Sequence, residues 1–148
     1  SFKSDWHKNL LKKIKLSNGT FLDTSSVIHN KIPLNEVLGT ILYENNAGSN
    51  ENITLNDTVS NYKFIEIFYK SNDGAYSSVR VEKANSKYVS LQAFWSVDNY
   101  CYGKIKQVSI SNNKINNLAA QQLVIGSGTS PTVSLSNYIY ITKVIGYK

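Results

Sequence analysis

One cysteine, two prolines, two histidines and no methionine stand among the 148 residues, and each scarcity closes a route. Cys101 has no second cysteine to pair with, so there is no internal disulfide and no cysteine metal cluster, which fits synthesis in a reducing compartment. His7 and His29 have no partner at HExxH-type spacing, so no metal and no cofactor are expected. The nucleophile elbow GxSxG is absent, and Gly126-Ser127-Gly128 lacks the lysine and helix context of a phosphate loop. The ten acids are spread singly, without the paired carboxylates of a glycosidase. A protein without enzymatic activity is the expectation. No run of about 18 apolar residues is available for a membrane span. A first residue of Ser rather than Met sets the expectation of a fragment or a processed product.

Asparagine, serine and tyrosine are abundant, the last with ten copies, in a chain that is 41% hydrophobic and 18% charged. That mixture suits strands joined by polar turns. One domain of this length buries about 68–70% of its unfolded surface, enough for a real core. The net charge of +6 raises the question of nucleic acid. Lys3, Lys8, Lys12, Lys13 and Lys15 cluster in the first fifteen residues while the others scatter, so no basic stripe forms and no nucleic-acid partner is expected.

The strongest local signal runs from Lys63 to Glu82, two β-rich runs around Asn72-Asp73-Gly74. A two-residue loop sets each charge against an apolar residue. A three-residue loop instead pairs Ile65 with Val81, Ile67 with Val79, and Glu66 with Arg80, the only arginine. Gly74 then supplies the left-handed residue that such a loop needs. One face (Ile65, Ile67, Val79, Val81) turns to a core, and the other carries Phe64, Glu66, Phe68 and Arg80.

Around this hairpin the chain divides at residue 38. In residues 4–16, Trp6, Leu10 and Ile14 recur at helical spacing with lysines opposite, predicting a short amphipathic helix stopped by Asn18-Gly19. Residues 20–37 read as a connector, with one helical turn near Leu34–Leu38. From 38 onward the pattern is β: strands at Gly39–Tyr43 and Ile53–Leu55 around a polar loop at 45–50, then Tyr88–Trp95 with Val89, Leu91, Ala93 and Trp95 on one face. After an Asp98-Asn99 turn comes Cys101–Ser111, whose apolar parity switches from Ile105 to Val108, predicting a bulge at Lys106-Gln107. An Asn112-Asn113 turn pairs Ile110 with Ile115. Leu118–Ile125, Val133–Leu135 and the run from Tyr138 to Lys148 follow, the last apolar on both sides and therefore central or covered by another subunit. Eight or nine strands give an all-β antiparallel β-sandwich, jelly-roll-like, with a short N-terminal amphipathic helix.

A binding surface is the remaining functional reading. Tyr88, Phe94, Trp95, Tyr100 and Tyr102 bracket the loop carrying Asp98 and Asn99. Saccharide recognition needs flat rings for C–H faces and fixed polar groups for hydroxyls, and this stretch holds both. The opposing reading places Trp95 in the core beside Leu91.

Three segments, Gly39–Tyr43, Tyr62–Gly74 with Tyr76–Ser78, and Asn137–Tyr147, resemble the C-terminal domain of tail-fibre, baseplate and receptor-binding proteins of phages and prophages of Gram-positive bacteria. The resemblance covers residues 38–148 and shares a β framework without a transferable set of ligand residues. It implies a virion tail protein: a homotrimeric fibre tip adhering to host cell-surface saccharide, its residues 1–37 joining other tail or baseplate proteins. The alternatives are a carbohydrate-binding module of a cell-wall lytic enzyme and a ligand-free trimerisation or capping module.

Overall fold

The computed structural model describes residues 13–15, 21–23, 39–136 and 138–148. The chain divides into a unit at Ser1–Val37 and a larger one at Leu38–Lys148. In the first, β1 (Lys13–Lys15) pairs antiparallel with β2 (Phe21–Asp23), Ile14 opposite Leu22. Residues 13–15 of the expected helix are therefore extended, and the Lys-Ile-Lys alternation before Asn18-Gly19 is the hairpin pattern that competes with the helical one. The remainder of that helix, and the expected turn at 34–38, lie outside the described residues.

The larger unit is an antiparallel β-sandwich. One sheet has the order β3-β11-β5-β6, formed by Thr40–Ser49, Ile139–Tyr147, Phe64–Ser71 and Tyr76–Glu82. The other has the order β10-β9-β8-β7, formed by Thr132–Leu135, Lys114–Gly126, Tyr100–Ser111 and Lys87–Val97, with β4 (Ile53–Thr54) pairing the start of β9. Within the sandwich class this second sheet is a meander, since four consecutive strands lie side by side. Leu42, Ile65, Ile67, Ile141 and Val144 from one sheet meet Leu91, Val108, Ile110 and Ile115 from the other in a single buried core. A 3₁₀ turn at Val59–Asn61 sets Val59 and Tyr62 against it.

The 63–82 hairpin adopts the expected register. Ile65 pairs with Val81, Glu66 with Arg80 and Ile67 with Val79. The Ser71 N–H donates to the Ala75 carbonyl at 2.9 Å, closing the loop Asn72-Asp73-Gly74 with Gly74 at φ +83°. Facing in register did not make Glu66 and Arg80 an ion pair. The Arg80 Nε–H donates to Glu82 at 2.8 Å, and its guanidinium lies 3.6 Å over the Phe64 ring. Glu66 instead accepts from the Ser78 hydroxyl at 3.2 Å. The two-residue turns Asp98-Asn99 and Asn112-Asn113 form as expected, Val97 facing Tyr100 and Ile110 facing Ile115. The C-terminal run β11 is central, between β3 and β5, which accounts for apolar residues on both of its faces.

Two expectations need correction. The polar stretch at 45–50 belongs mostly to β3 rather than to a free loop. It forms an excursion opposite β11, where Lys143 pairs with Glu44 but Ile141 with Ser49, and Gly48 at φ +85° turns the chain back. The bulge near Lys106-Gln107 lies on the partner strand instead. The β7–β8 ladder runs without a slip, whereas Lys106 pairs with Ala120 and Val108 with Asn117, so Leu118 and Ala119 oppose Gln107 alone. Tyr102, Lys104, Lys106, Val108 and Ile110 consequently share the inward face. Two lysines occupy interior positions.

Candidate functional site

Those two lysines divide the inward face of β8 into a closed half and an open half. Lys106 is fully buried, and its ammonium donates to the carbonyls of Ile139 at 2.9 Å and Asn50 at 3.3 Å. Burial pushes its pKa down to about 8, because an apolar interior disfavours the charged form. Lys104, two residues toward the β7–β8 turn, is 3% exposed and is met by the tip of the central hairpin from the opposite sheet. Its ammonium donates to Asp73 Oδ2 at 2.9 Å and to Asn72 Oδ1. It also lies 5.1 Å from the centre of the Trp95 ring and 5.0 Å from that of Tyr138, within cation–π range of both.

Beyond Lys104 the core ends and an aromatic ledge begins. Register sets Trp95 opposite Tyr102, and the two half-exposed rings stack at 5.5 Å with 9° between their planes. The Tyr100 ring continues the row, 6.2 Å from Tyr102 and tilted by 33°. Together with Val97, Lys104, Gln122, Tyr138 and the Asn72-Asp73 tip, the Trp95 and Tyr102 rings of this ledge line a cavity of about 340 Å³. Tyr138 also lines a neighbouring depression of about 460 Å³, bounded by Asn50, Asn117, Leu118, Ala120, Leu135, Ser136 and Tyr140. Ala120 and Gln122 are successive residues on the same side of β9, so the two depressions adjoin across Tyr138.

The sequence-predicted residues separate into three places. Trp95, Tyr100 and Tyr102 come together on the ledge. Asp98 and Asn99 form the turn at its end, Asp98 at φ +52°, and the Asn99 carbonyl accepts the Ser127 N–H at 3.0 Å. Phe94 lies on the opposite face of its sheet, where its ring covers Gly103, and Tyr88 stands 71% exposed at the far end of β7. Trp95 follows Leu91 and Ala93 on the inward side, as the core reading expects, but it is only half buried because the sandwich has opened there. Lys104, Asn72, Asp73, Gln122 and Tyr138 were not foreseen. Counting back in twos from Ile110 and Val108 would have placed Lys104 beside Tyr102, at the cost of accepting charged residues inside the sandwich.

A larger depression, about 620 Å³, lies across the four-stranded sheet and includes Phe68, Tyr76, Ser78, Thr142, Lys143 and Ile145. Lys143 is paired there with Glu44 at 2.8 Å. Among the described residues, the ledge alone combines parallel rings with a buried cation and fixed amide and carboxylate groups. No three of His, Cys, Asp and Glu converge among the described residues. Comparison with protein-family models, curated proteins and solved structures returned no match.

Proposed function

We propose that residues 38–148 form a non-enzymatic adhesion domain that binds a saccharide on the Trp95–Tyr102 ledge. The observation that carries this reading is the stacked ring pair beside Lys104, Asn72, Asp73 and Gln122 in one cavity. Flat rings suit the C–H faces of a pyranose, and amide and carboxylate groups held on strands and a tight loop suit its hydroxyls. The Lys104 ammonium is balanced by the Asp73 carboxylate, so the site as a whole favours a neutral sugar over an anionic one. That carboxylate is engaged by a lysine, which speaks against its serving as a catalytic acid.

The sequence resemblance supplies the setting: a homotrimeric tail-fibre tip that meets host cell-wall saccharide through several equivalent weak sites acting together. Binding to purified wall polysaccharide of Gram-positive bacteria, measured for the native chain and for Trp95→Ala and Tyr102→Ala, tests the reading. Each substitution is expected to weaken binding about tenfold, roughly the 1.4 kcal/mol at the upper end of what an aromatic contact supplies. Unchanged binding in both variants, or no binding by the native chain, overturns it. A native chain that binds as a monomer favours the module of a lytic enzyme over the fibre tip.

A further inference from the structure

The depression beside the ledge, bounded by Asn117, Ser136 and Tyr140 among others, has no part in the reading above. At about 460 Å³ it is within the roughly 300–1,000 Å³ range of ligand sites in its own right. Two oxygens single it out. Among the described residues, Asn117 Oδ1 and Ser136 Oγ are the two buried side-chain polar atoms without a hydrogen-bond partner, and both belong to residues that line this depression. Folded proteins leave few such groups, because each forfeits a bond that water supplies to the unfolded chain. Asn117 is held by its other atoms: its backbone N–H donates to Asn52 Oδ1 at 2.9 Å and its side-chain amide N–H to the Glu51 carbonyl. Its oxygen is therefore kept in place with its accepting capacity unused.

The step from the ledge cavity to this depression follows two strands, from Gln122 to Ala120 on β9 and from Tyr138 to Tyr140 at the start of β11. Residues two apart on a strand are separated by about 7 Å, more than the width of one sugar ring. We propose that the depression is a second subsite of the ledge, so that the ligand is a linear oligosaccharide bound along its length across Tyr138 rather than a single sugar. The inference rests on the ledge reading and extends it. Sugar hydroxyls both donate and accept, which suits the Asn117 carbonyl oxygen and the Ser136 hydroxyl alike. Solvent touches neither oxygen, so their engagement takes a turn of the exposed Leu118 and Leu135 side chains on the same lining. No charged residue lines the depression among the described residues, in keeping with a neutral chain.

NMR titration of the native chain with size-sorted fragments of purified Gram-positive wall polysaccharide, from single sugars upward, tests this. Affinity is expected to rise at least about tenfold from single sugars to fragments of several units and then to level off. Ser136→Ala and Tyr140→Ala should each remove part of that gain, about fivefold for the hydroxyl, while binding of single sugars is unchanged. Trp95→Ala should weaken fragments of every length. Because Ser136→Ala deletes an unpaired buried group, its unfolding midpoint should hold or rise, which distinguishes a lost ligand contact from a damaged fold. Equal affinity at every length, or a gain that survives the Ser136→Ala/Tyr140→Ala double variant, overturns the second subsite and leaves the ledge standing. A native chain that binds no fragment overturns both.

Discussion

The Tyr69 hydroxyl donates to the Gln92 carbonyl at 2.6 Å and accepts the Gln92 N–H at 3.0 Å, so one side chain of the four-stranded sheet satisfies both backbone groups of a β7 residue in the other. Because β7 is an edge strand, those two groups have no ladder partner on that side among the described residues. Tyr69→Phe keeps the ring and leaves both groups unpaired. Loss of about 1–3 kcal/mol is expected in denaturant unfolding, with the slope unchanged.

Lys106 gives the fold a pH dependence with a definite sign. Its folded pKa is about 8, below the ordinary 10.5. Between these values the unfolded chain binds more protons than the native one, so stability rises with pH across that window and is flat below it. The full span corresponds to on the order of 3 kcal/mol. Unfolding measured from pH 7 to 9.5 should show this rise in the native chain and not in Lys106→Met. An equal slope in both would remove Lys106 as its source.

Asp73 is the only carboxylate on Lys104 among the described residues, and it is itself about half exposed. Asp73→Asn leaves a nearly buried ammonium held by amide oxygens and ring faces. Solvent reaches the carboxylate, so the expected loss is modest, about 1 kcal/mol. Saccharide binding should fall with it if the hairpin tip orients the ligand. Calorimetric unfolding and a binding titration on the same variant give both values.

Gly146 is required by a close approach rather than by its backbone angles. A Cβ there would lie 2.5 Å from Tyr62 Cδ1. The Tyr62 ring cannot swing aside readily: it is buried and its hydroxyl donates to Asp57 at 2.9 Å. Hydrogen bonds from Asn61, Thr58 and Tyr62 in turn hold the Asp57 carboxyl below the usual carboxylate range. Gly146→Ala is expected to cost about 1–3 kcal/mol, as overpacking does. Tyr62→Leu in the same background should recover part of it, read as a shift of the unfolding midpoint.

The fold was largely legible because its registers are fixed locally. Gly74 in a three-residue loop, Asp98-Asn99 and Asn112-Asn113 each set a hairpin, and alternation then decided which residues face inward. The site was less legible. Trp95 and Tyr102 were found because a two-residue turn makes them cross-strand neighbours. Lys104 was hidden because apolar parity was used to find the inward face, and a lysine there looks like a change of face. Its partners Asn72 and Asp73 lie about thirty residues earlier in the chain, in a loop whose turn chemistry already explained its composition. Tyr138 reaches the ledge only through the packing of the two sheets, which no local pattern encodes. In residues 13–15, alternation and helical spacing coexist in the same sequence, and the strand pairing prevails.

The most direct test of the ledge follows the two indole N–H resonances of isotope-labelled protein during titration with fragments of Gram-positive wall polysaccharide, Trp95 and Trp6 being the only sources. The account predicts that the Trp95 signal shifts in a saturable way, together with the backbone amides of Tyr102, Lys104 and Gln122. A titration that binds but leaves Trp95, Tyr102 and Lys104 unmoved would contradict it.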